Sequence, residues 1–329
     1  MRQKTCNDGI SSDLPKVAII IPTLNEENFI EQCLRSIMEL DYPANKLTVI
    51  VADNMSEDRT VEIALRFPVK VVDVQRRTIA YTRNIGASYA EDADLLAFLD
   101  ADCIVSKDWL HLVTRHFSEN GVVAAGSYPS VRPEKSNRIQ MAWSLANKQN
   151  SKGIRDTDWL PSANLVVDRK AFEQVGGFNV NLVTCEDADL GYRLRKLGRL
   201  IYDPTAMVYH LREPSNLREF FVKERWHSKN SLYGFFAHGC PLSELPSVFL
   251  PAIFGVGLIL LVASLAFTCW FAIPAIVCVL FPPCIYVIKA RPKIQDSPLL
   301  FLIYIVYLLA RSFSLFEEFI RILLTAVKR

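Results

Sequence analysis

From Leu245 to Ile288 the chain carries no Asp, Glu, Lys or Arg. A single helix needs about 20 apolar residues to cross a bilayer, so this stretch is too long for one span and suits two. In hydrocarbon the backbone must satisfy its own polar groups, which leaves helices as the fold for such a segment. Spans are predicted over about 247–268 and 271–288, reversing near Thr268–Pro274. Pro251 and Pro282-Pro283 fall within or near their ends, where neighbouring helices satisfy freed carbonyls. Lys289, Arg291 and Lys293 follow as a basic loop, which the positive-inside rule places in the cytosol. Beyond it, Leu299–Ala310 is apolar, and Arg311, Glu317, Glu318 and Arg321 interrupt its continuation. The segment over about 298–322 is thus a third span or a helix lying in the interface. Residues 245–329 read as a membrane region.

The rest of the 329 residues have a different character. Lys plus Arg number 37 and Asp plus Glu 35, so no net charge favours nucleic acid. The mean hydropathy of +0.17 is concentrated in the membrane region. The eight cysteines form no Cys-x-x-Cys pair, which points to a reduced, cytosol-facing compartment. The polar N-terminus has no apolar core and is not a secretory signal; residues 1–15 read as a disordered lead-in.

Within 16–236 the most telling stretch is Leu95–Leu99, an apolar run of strand length that stops in Asp100-Ala-Asp102. Such a run suits a strand buried on both faces. Carboxylates at its end lie at the carboxyl edge of a sheet, where open α/β folds bind ligands. Residues two apart on an extended chain point the same way, and two adjacent carboxylates repel unless a positive charge sits between them. A hard divalent cation shared with a substrate's phosphates meets that need. A solvated, acidic strand end is the plainer reading of the isolated motif.

Other strands are expected at Val17–Ile21, stopped by Pro22, and at Leu47–Ala52, Val69–Val74, Val122–Gly126 and Val208–His210. Thr23 with Glu26 fits a capping box for a helix running to about Met38. Helices are also expected near Asp58 and over Arg76–Ala90, Lys107–Phe117, Arg132–Lys152, 169–174 and from Glu186 to about Leu197. Alternation at this spacing implies a largely parallel sheet. Neither a dinucleotide fingerprint nor a P-loop occurs, so those phosphate cradles are missing. Yet Thr23 and Asn25, Asp53, and Asp100 and Asp102 end three strands, as a ligand crossing one sheet edge would require. Acidic residues at Glu186, Asp187 and Asp189 could equally serve the helix dipole.

Taken together, Ile21-Pro-Thr-Leu-Asn-Glu-Glu27, Ala52-Asp-Asn-Met-Ser-Glu-Asp58, Arg83-Asn-Ile-Gly86, Phe98-Leu-Asp-Ala-Asp-Cys103, Gly176-Gly-Phe178, Glu186-Asp-Ala-Asp-Leu190 and His210 resemble the inverting family 2 glycosyltransferases of GT-A fold. The likeness covers about residues 16–230. It implies a Rossmann-like mixed sheet, a nucleotide-diphospho-sugar donor and a divalent cation, Mn²⁺ or Mg²⁺. Carried over by residue, it implies that Pro22, Thr23, Glu26, Asp53 and Arg83 line the nucleotide pocket. Asp100 and Asp102 hold ribose and diphosphate, Asp102 and His210 the metal, and Asp187 is the general base. Glu186, Arg225 and Trp226 become acceptor-side candidates.

The chain departs from the processive members. Where they carry Gln-x-x-Arg-Trp it reads Val222-Lys-Glu-Arg225-Trp226, and no span precedes the catalytic domain. Addition of a single sugar is therefore expected. The aromatic and cationic stretch Leu217–Phe236 suits a headgroup-level helix, which argues for a lipid-linked or glycan acceptor at the cytoplasmic (inner) membrane of a bacterial cell. Two other readings stand beside this one. In a polyprenyl-phosphate sugar synthase the nucleophile is a phosphate, with Arg212, Arg225 and Lys229 as its cationic pocket. A membrane-anchored nucleotide-sugar-binding protein would have no turnover at all.

Overall fold

The computed structural model describes residues 14–148, 153–240, 242, 244–266 and 269–327. They form two compact units, one built from 14–130, 153–182 and 186–212 and the other from 131–148, 183–185 and 213–327.

The first unit holds ten strands: β1 (Val17–Thr23), β2 (Leu47–Asp53), β3 (Lys70–Asp73), β4 (Leu95–Phe98), β5 (Cys103–Val105), β6 (Val122–Gly126), β7 (Arg155–Thr157), β8 (Leu165–Asp168), β9 (Arg199–Tyr202) and β10 (Val208–His210). Eight of them make one sheet in the order β3-β2-β1-β4-β8-β6-β9-β7, and β5 and β10 form a separate antiparallel pair. Pairing is parallel from β3 to β4 and between β6 and β9; β8 runs antiparallel to both its neighbours, as β7 does to β9. The sheet is thus mixed where alternation alone suggested a largely parallel one. The register of β8 sets Leu165 against Phe98, so the turn before β8 falls at the same edge as Thr23, Asp53 and Asp100.

Around the sheet lie α1 (Ile30–Met38), α2 (Thr60–Ala64), α3 (Ile79–Ser88) and α4 (Trp109–Thr114). The second unit contributes α5 (Arg138–Lys148), the first α6 (Arg169–Gln174) and α7 (Glu186–Leu194). Every residue of β1 is buried, as a central strand covered on both faces requires.

Two local expectations fail at the end of β1. Pro22 does not stop the strand, because its neighbours donate to β1 carbonyls: Leu99 N–H to Ile20 O and Asn54 N–H to Thr23 O. A missing N–H leaves such bonds intact. The Thr23–Glu26 capping box does not form either. The Thr23 hydroxyl donates to Asp53, the Glu26 N–H donates to Thr60, and α1 begins only at Ile30. Likewise α3 starts at Ile79, capped by Thr78, since Asn54 grips both backbone groups of Arg77. Of the expected lead-in, residues 1–13 lie outside the described residues. Leu14 and Pro15 are held, their carbonyls accepting from Lys46 and Tyr42.

The second unit continues with α8 (Leu217–His227), α9 (Ser231–Ala237), α10 (Leu245–Ala266), α11 (Ala272–Ala290) and α12 (Ser297–Val327). Among the described residues three stretches are long and apolar enough to cross a membrane: Leu245–Ser264, Ala272–Ala290 and Ser297–Ile322. Trp143 of α5 packs edge-on to Phe220 of α8, 4.8 Å between ring centres, and beside Tyr304 and Tyr307 of α12. Three of the charges that interrupt α12 have these partners: Arg311 pairs with Glu224, Glu317 with Arg225, and Glu318 with the backbone of α9.

Candidate active site

The carboxyl edge of the sheet gathers acidic groups around one buried guanidinium. Arg83 lies in the second turn of α3, its side chain 3% exposed. It donates to Asp100 Oδ1 at 2.8 Å and to Glu186 Oε1 at 2.8 Å, with Asp187 Oδ1 at 3.9 Å. One cation therefore ties the end of β4 to the start of α7. Its neighbours in the same motif fix α3. Gly86 lies against β1, where a Cβ would come 2.5 Å from Ile20. The Asn84 side chain exchanges two hydrogen bonds with the Phe178 backbone. That contact also accounts for Gly177, whose φ of +70° and closeness to Asn84 exclude a side chain.

Asp187 is the outer carboxylate of the cluster, its side chain 24% exposed against 9% for Glu186. The Ser162 hydroxyl donates to Asp187 Oδ1 at 2.6 Å from the turn before β8. Burial raises the proton affinity of Asp187, opposed by the Arg83 charge and the Ser162 hydrogen bond. Burial and the Asp187 charge raise Glu186, while Arg83 pulls it down. Ser162 was not singled out from the sequence, because nothing in Trp159–Asn164 tells which element that loop faces.

On the other flank, β10 pairs with β5 so that His210 lies opposite Cys103, and Leu211 N–H donates to Asp102 O. This register brings His210 Nε2 to 3.4 Å from Asp102 Oδ1. Asp102, Cys103 and His210 offer donor atoms within 4.8 Å of one another. One carboxylate and one imidazole suit Mn²⁺ or Mg²⁺ that also takes phosphate oxygens. Burial keeps the Cys103 thiol protonated, so it adds no soft thiolate that would favour another metal. The residues fit a divalent cation.

Beside this cluster stand the ends of β1 and β2. Asp53 accepts from Thr23 Oγ at 2.9 Å and from the Ser56 hydroxyl and N–H. Pro22 lies buried beside Thr23. Glu26 pairs with Arg212 at 2.6 Å, and Arg212 also sits 4.9 Å above the Phe29 ring. Burial pushes Glu26 up to about 7, against the pull of Arg212 and with help from Asp102, Asp100 and Asp58.

Every nucleotide-side and catalytic candidate named from the sequence therefore belongs to the first unit, and Arg83 joins two of them, Asp100 and Asp187. Glu186 is tied to Arg83 and faces inward. Arg225 and Trp226 belong to the second unit, where Arg225 pairs with Glu317 and Trp226 stands 42% exposed on α8.

Residues 18–176 match the family model described as "Glycosyl transferase family 2". "Glycosyltransferase AglE" of Haloferax volcanii is 32% identical over 200 residues, which are 56% of this chain and 65% of that protein. The "Beta-monoglucosyldiacylglycerol synthase" of a Synechocystis species is 27% identical over 214 residues, 60% of this chain and 44% of that protein. The chain thus spans less than two thirds of the length of either relative. Among solved structures, "Mannosyltransferase PcManGT from Pyrobaculum calidifontis in complex with GDP-Man and Mn2+" aligns with a TM-score of 0.61 at 19% identity, covering 94% of this chain and 89% of that one. At that identity the likeness is one of fold.

Proposed function

Residues 18–176 form a glycosyl transferase family 2 domain of GT-A fold, and on that premise we propose that the protein is a membrane-bound inverting glycosyltransferase. It moves one sugar from a nucleotide-diphospho-sugar to a hydroxyl of a lipid-linked or glycan acceptor. The observation that carries this reading is the Arg83 cluster, which holds Asp100 and the Glu186-Asp187 pair together.

Pro22, Thr23, Glu26 and Asp53 line the nucleoside pocket, and Asp100 and Asp102 face ribose and diphosphate. Asp102 and His210 would hold Mn²⁺ or Mg²⁺, whose charge stabilises the departing diphosphate. Asp187 takes the proton of the acceptor hydroxyl as it attacks the anomeric carbon. Attack from that face inverts the centre in one displacement. The Arg83 charge favours the ionised form of Asp187 against the effect of burial, and Ser162 fixes the orientation of its carboxylate. Glu186, facing Arg83, shapes the start of α7 and does not act as the base.

The neighbour solved with GDP-Man and Mn²⁺ supports a nucleotide-sugar donor and a divalent ion. The relative named for a glucosyldiacylglycerol supports a lipid acceptor. The three apolar helices support membrane attachment. The basic loop at Lys289, Arg291 and Lys293 supports a cytosolic catalytic domain at the inner membrane.

The test is Asp187→Asn in full-length protein, assayed for Mn²⁺-dependent nucleotide binding and for transfer from UDP-glucose, UDP-N-acetylglucosamine and GDP-mannose to membrane lipid extracts. Binding should persist within about twofold while transfer falls by roughly a hundredfold or more. Near-normal transfer by the Asn variant would refute the assignment.

A further inference from the structure

The residue before the Glu-Asp pair is strained. Cys185 has φ +66°, a left-handed conformation that a side-chain-bearing residue holds only where its surroundings over-determine it. Those surroundings are the turn between α8 and α9. Val183 N–H donates to the Asn230 side chain at 3.2 Å, the Thr184 hydroxyl donates to Lys229 O, and the Cys185 thiol lies 3.6 Å from the same carbonyl. Asn230 stands at the start of α9, also left-handed at φ +65°, and its side chain makes no cap bond to that helix. The first N–H groups of α9 are met instead from α12. The buried carboxylate of Glu318 accepts from Leu232 N–H at 3.2 Å and from Tyr233 N–H at 3.0 Å. Asn230 is thereby released to hold Val183. A carboxylate inside a stretch this apolar is expensive to keep, and here it is held by those two backbone groups.

We propose that Glu318 of α12 is a positioning residue for Asp187. It fixes the α9 turn, the turn clamps Val183–Cys185, and the clamp sets the backbone from which Glu186 and Asp187 emerge. The proposal rests on Asp187 being the base. It makes the geometry of that base depend on a helix of the membrane region.

The experiment uses the full-length chain in detergent, with Glu318→Ala, Glu318→Gln, Asn230→Gly and Cys185→Gly. Hydrogen exchange at Val183–Asp187 should quicken about tenfold or more in Glu318→Ala, while β1, β2 and β4 keep their protection. Glu318→Gln retains an acceptor oxygen and should stay near wild type. Nucleoside diphosphate release from UDP-glucose, UDP-N-acetylglucosamine or GDP-mannose with Mn²⁺ should show kcat down about tenfold with KM within twofold, since small misplacements of a reacting group slow the step. Adding Cys185→Gly to Glu318→Ala should restore part of kcat, because glycine holds that φ unaided. Unchanged exchange at Val183–Asp187 in Glu318→Ala overturns the proposal, and so does a kcat loss that Cys185→Gly leaves untouched. If Glu318→Ala does not fold, Asn230→Gly, which removes only the Val183 bond, is read the same way. Asp187→Asn keeps the two ideas apart. Its normal turnover would sink the base assignment, whereas a dead Asp187→Asn beside an unaltered Glu318→Ala would sink only the link to α12.

Discussion

Arg83 is the residue on which most of the site's electrostatics converge. It is buried against Asp100 and Glu186, with Asp187 just beyond. Removing one partner of such a network leaves charge buried without compensation, which costs about 3–5 kcal/mol. Arg83→Met should therefore lower the thermal midpoint by several degrees and abolish transfer. An unchanged midpoint in a melting curve would show that the cluster is not held as described. The carboxylates also set pH behaviour. The base must be ionised to accept a proton, and burial raises Asp187. The acid limb of kcat/KM should thus lie above the ordinary carboxylate range of about 4, with activity falling as pH drops through it. Glu26 carries a stability consequence of the same origin. Its folded value is raised to about 7 from 4.5, so its contribution is fully present below the unfolded value and is lost as pH rises through about 7. The midpoint of Glu26→Gln minus that of wild type should grow more positive between pH 5 and pH 8. A difference that shrinks over that range would mean that the Arg212 attraction outweighs burial.

At the scale of elements, α3 is placed by one glycine. Ile20 is β-branched and fully buried in β1, so its Cγ2 has little freedom to move from a Cβ arriving at 2.5 Å. Gly86→Ala should cost about 1–3 kcal/mol by overpacking and displace Arg83 with it. Denaturant titration, together with transfer rate, checks both. The sequence made this arrangement partly legible. Apolar runs such as Leu95–Leu99 located the central strands, and the polar residues that end them located the edge. The turn at Thr23–Glu26 looks like a helix start because its pattern fits a cap. The competing bonds from Asp53 and Thr60 come from other elements, and no local pattern shows them. The same reason hid Ser162. Its role depends on the antiparallel return of β8, which places the preceding turn beside α7. The antiparallel strands themselves are short and lack a signal that separates them from parallel ones.

For the whole molecule the course of α12 decides the membrane topology. It spans 31 residues, about 46 Å of helix, well beyond a bilayer core of about 30 Å. Yet several of its polar and aromatic partners lie at one end of the hairpin. Ser312 donates to Pro251 O in the early turns of α10, Tyr304 stacks on Tyr286 late in α11, and Phe313, Arg311 and Glu317 meet α8. The start of α10 and the end of α11 lie on the same side of a two-span hairpin, and α8 precedes the first span on that side. A helix whose contacts run along that side would lie in the interface with its apolar face inward, with Arg311, Glu317 and Glu318 met by α8 and α9. We therefore expect two crossings, not three, with both ends of α12 on the side of the basic loop. In sealed inner-membrane vesicles a tag placed after Arg329 should share the protease sensitivity of a tag placed at the N-terminus. Opposite sensitivities would mean that α12 crosses, and that Arg311, Glu317 and Glu318 pass through the bilayer as a paired seam against their partners.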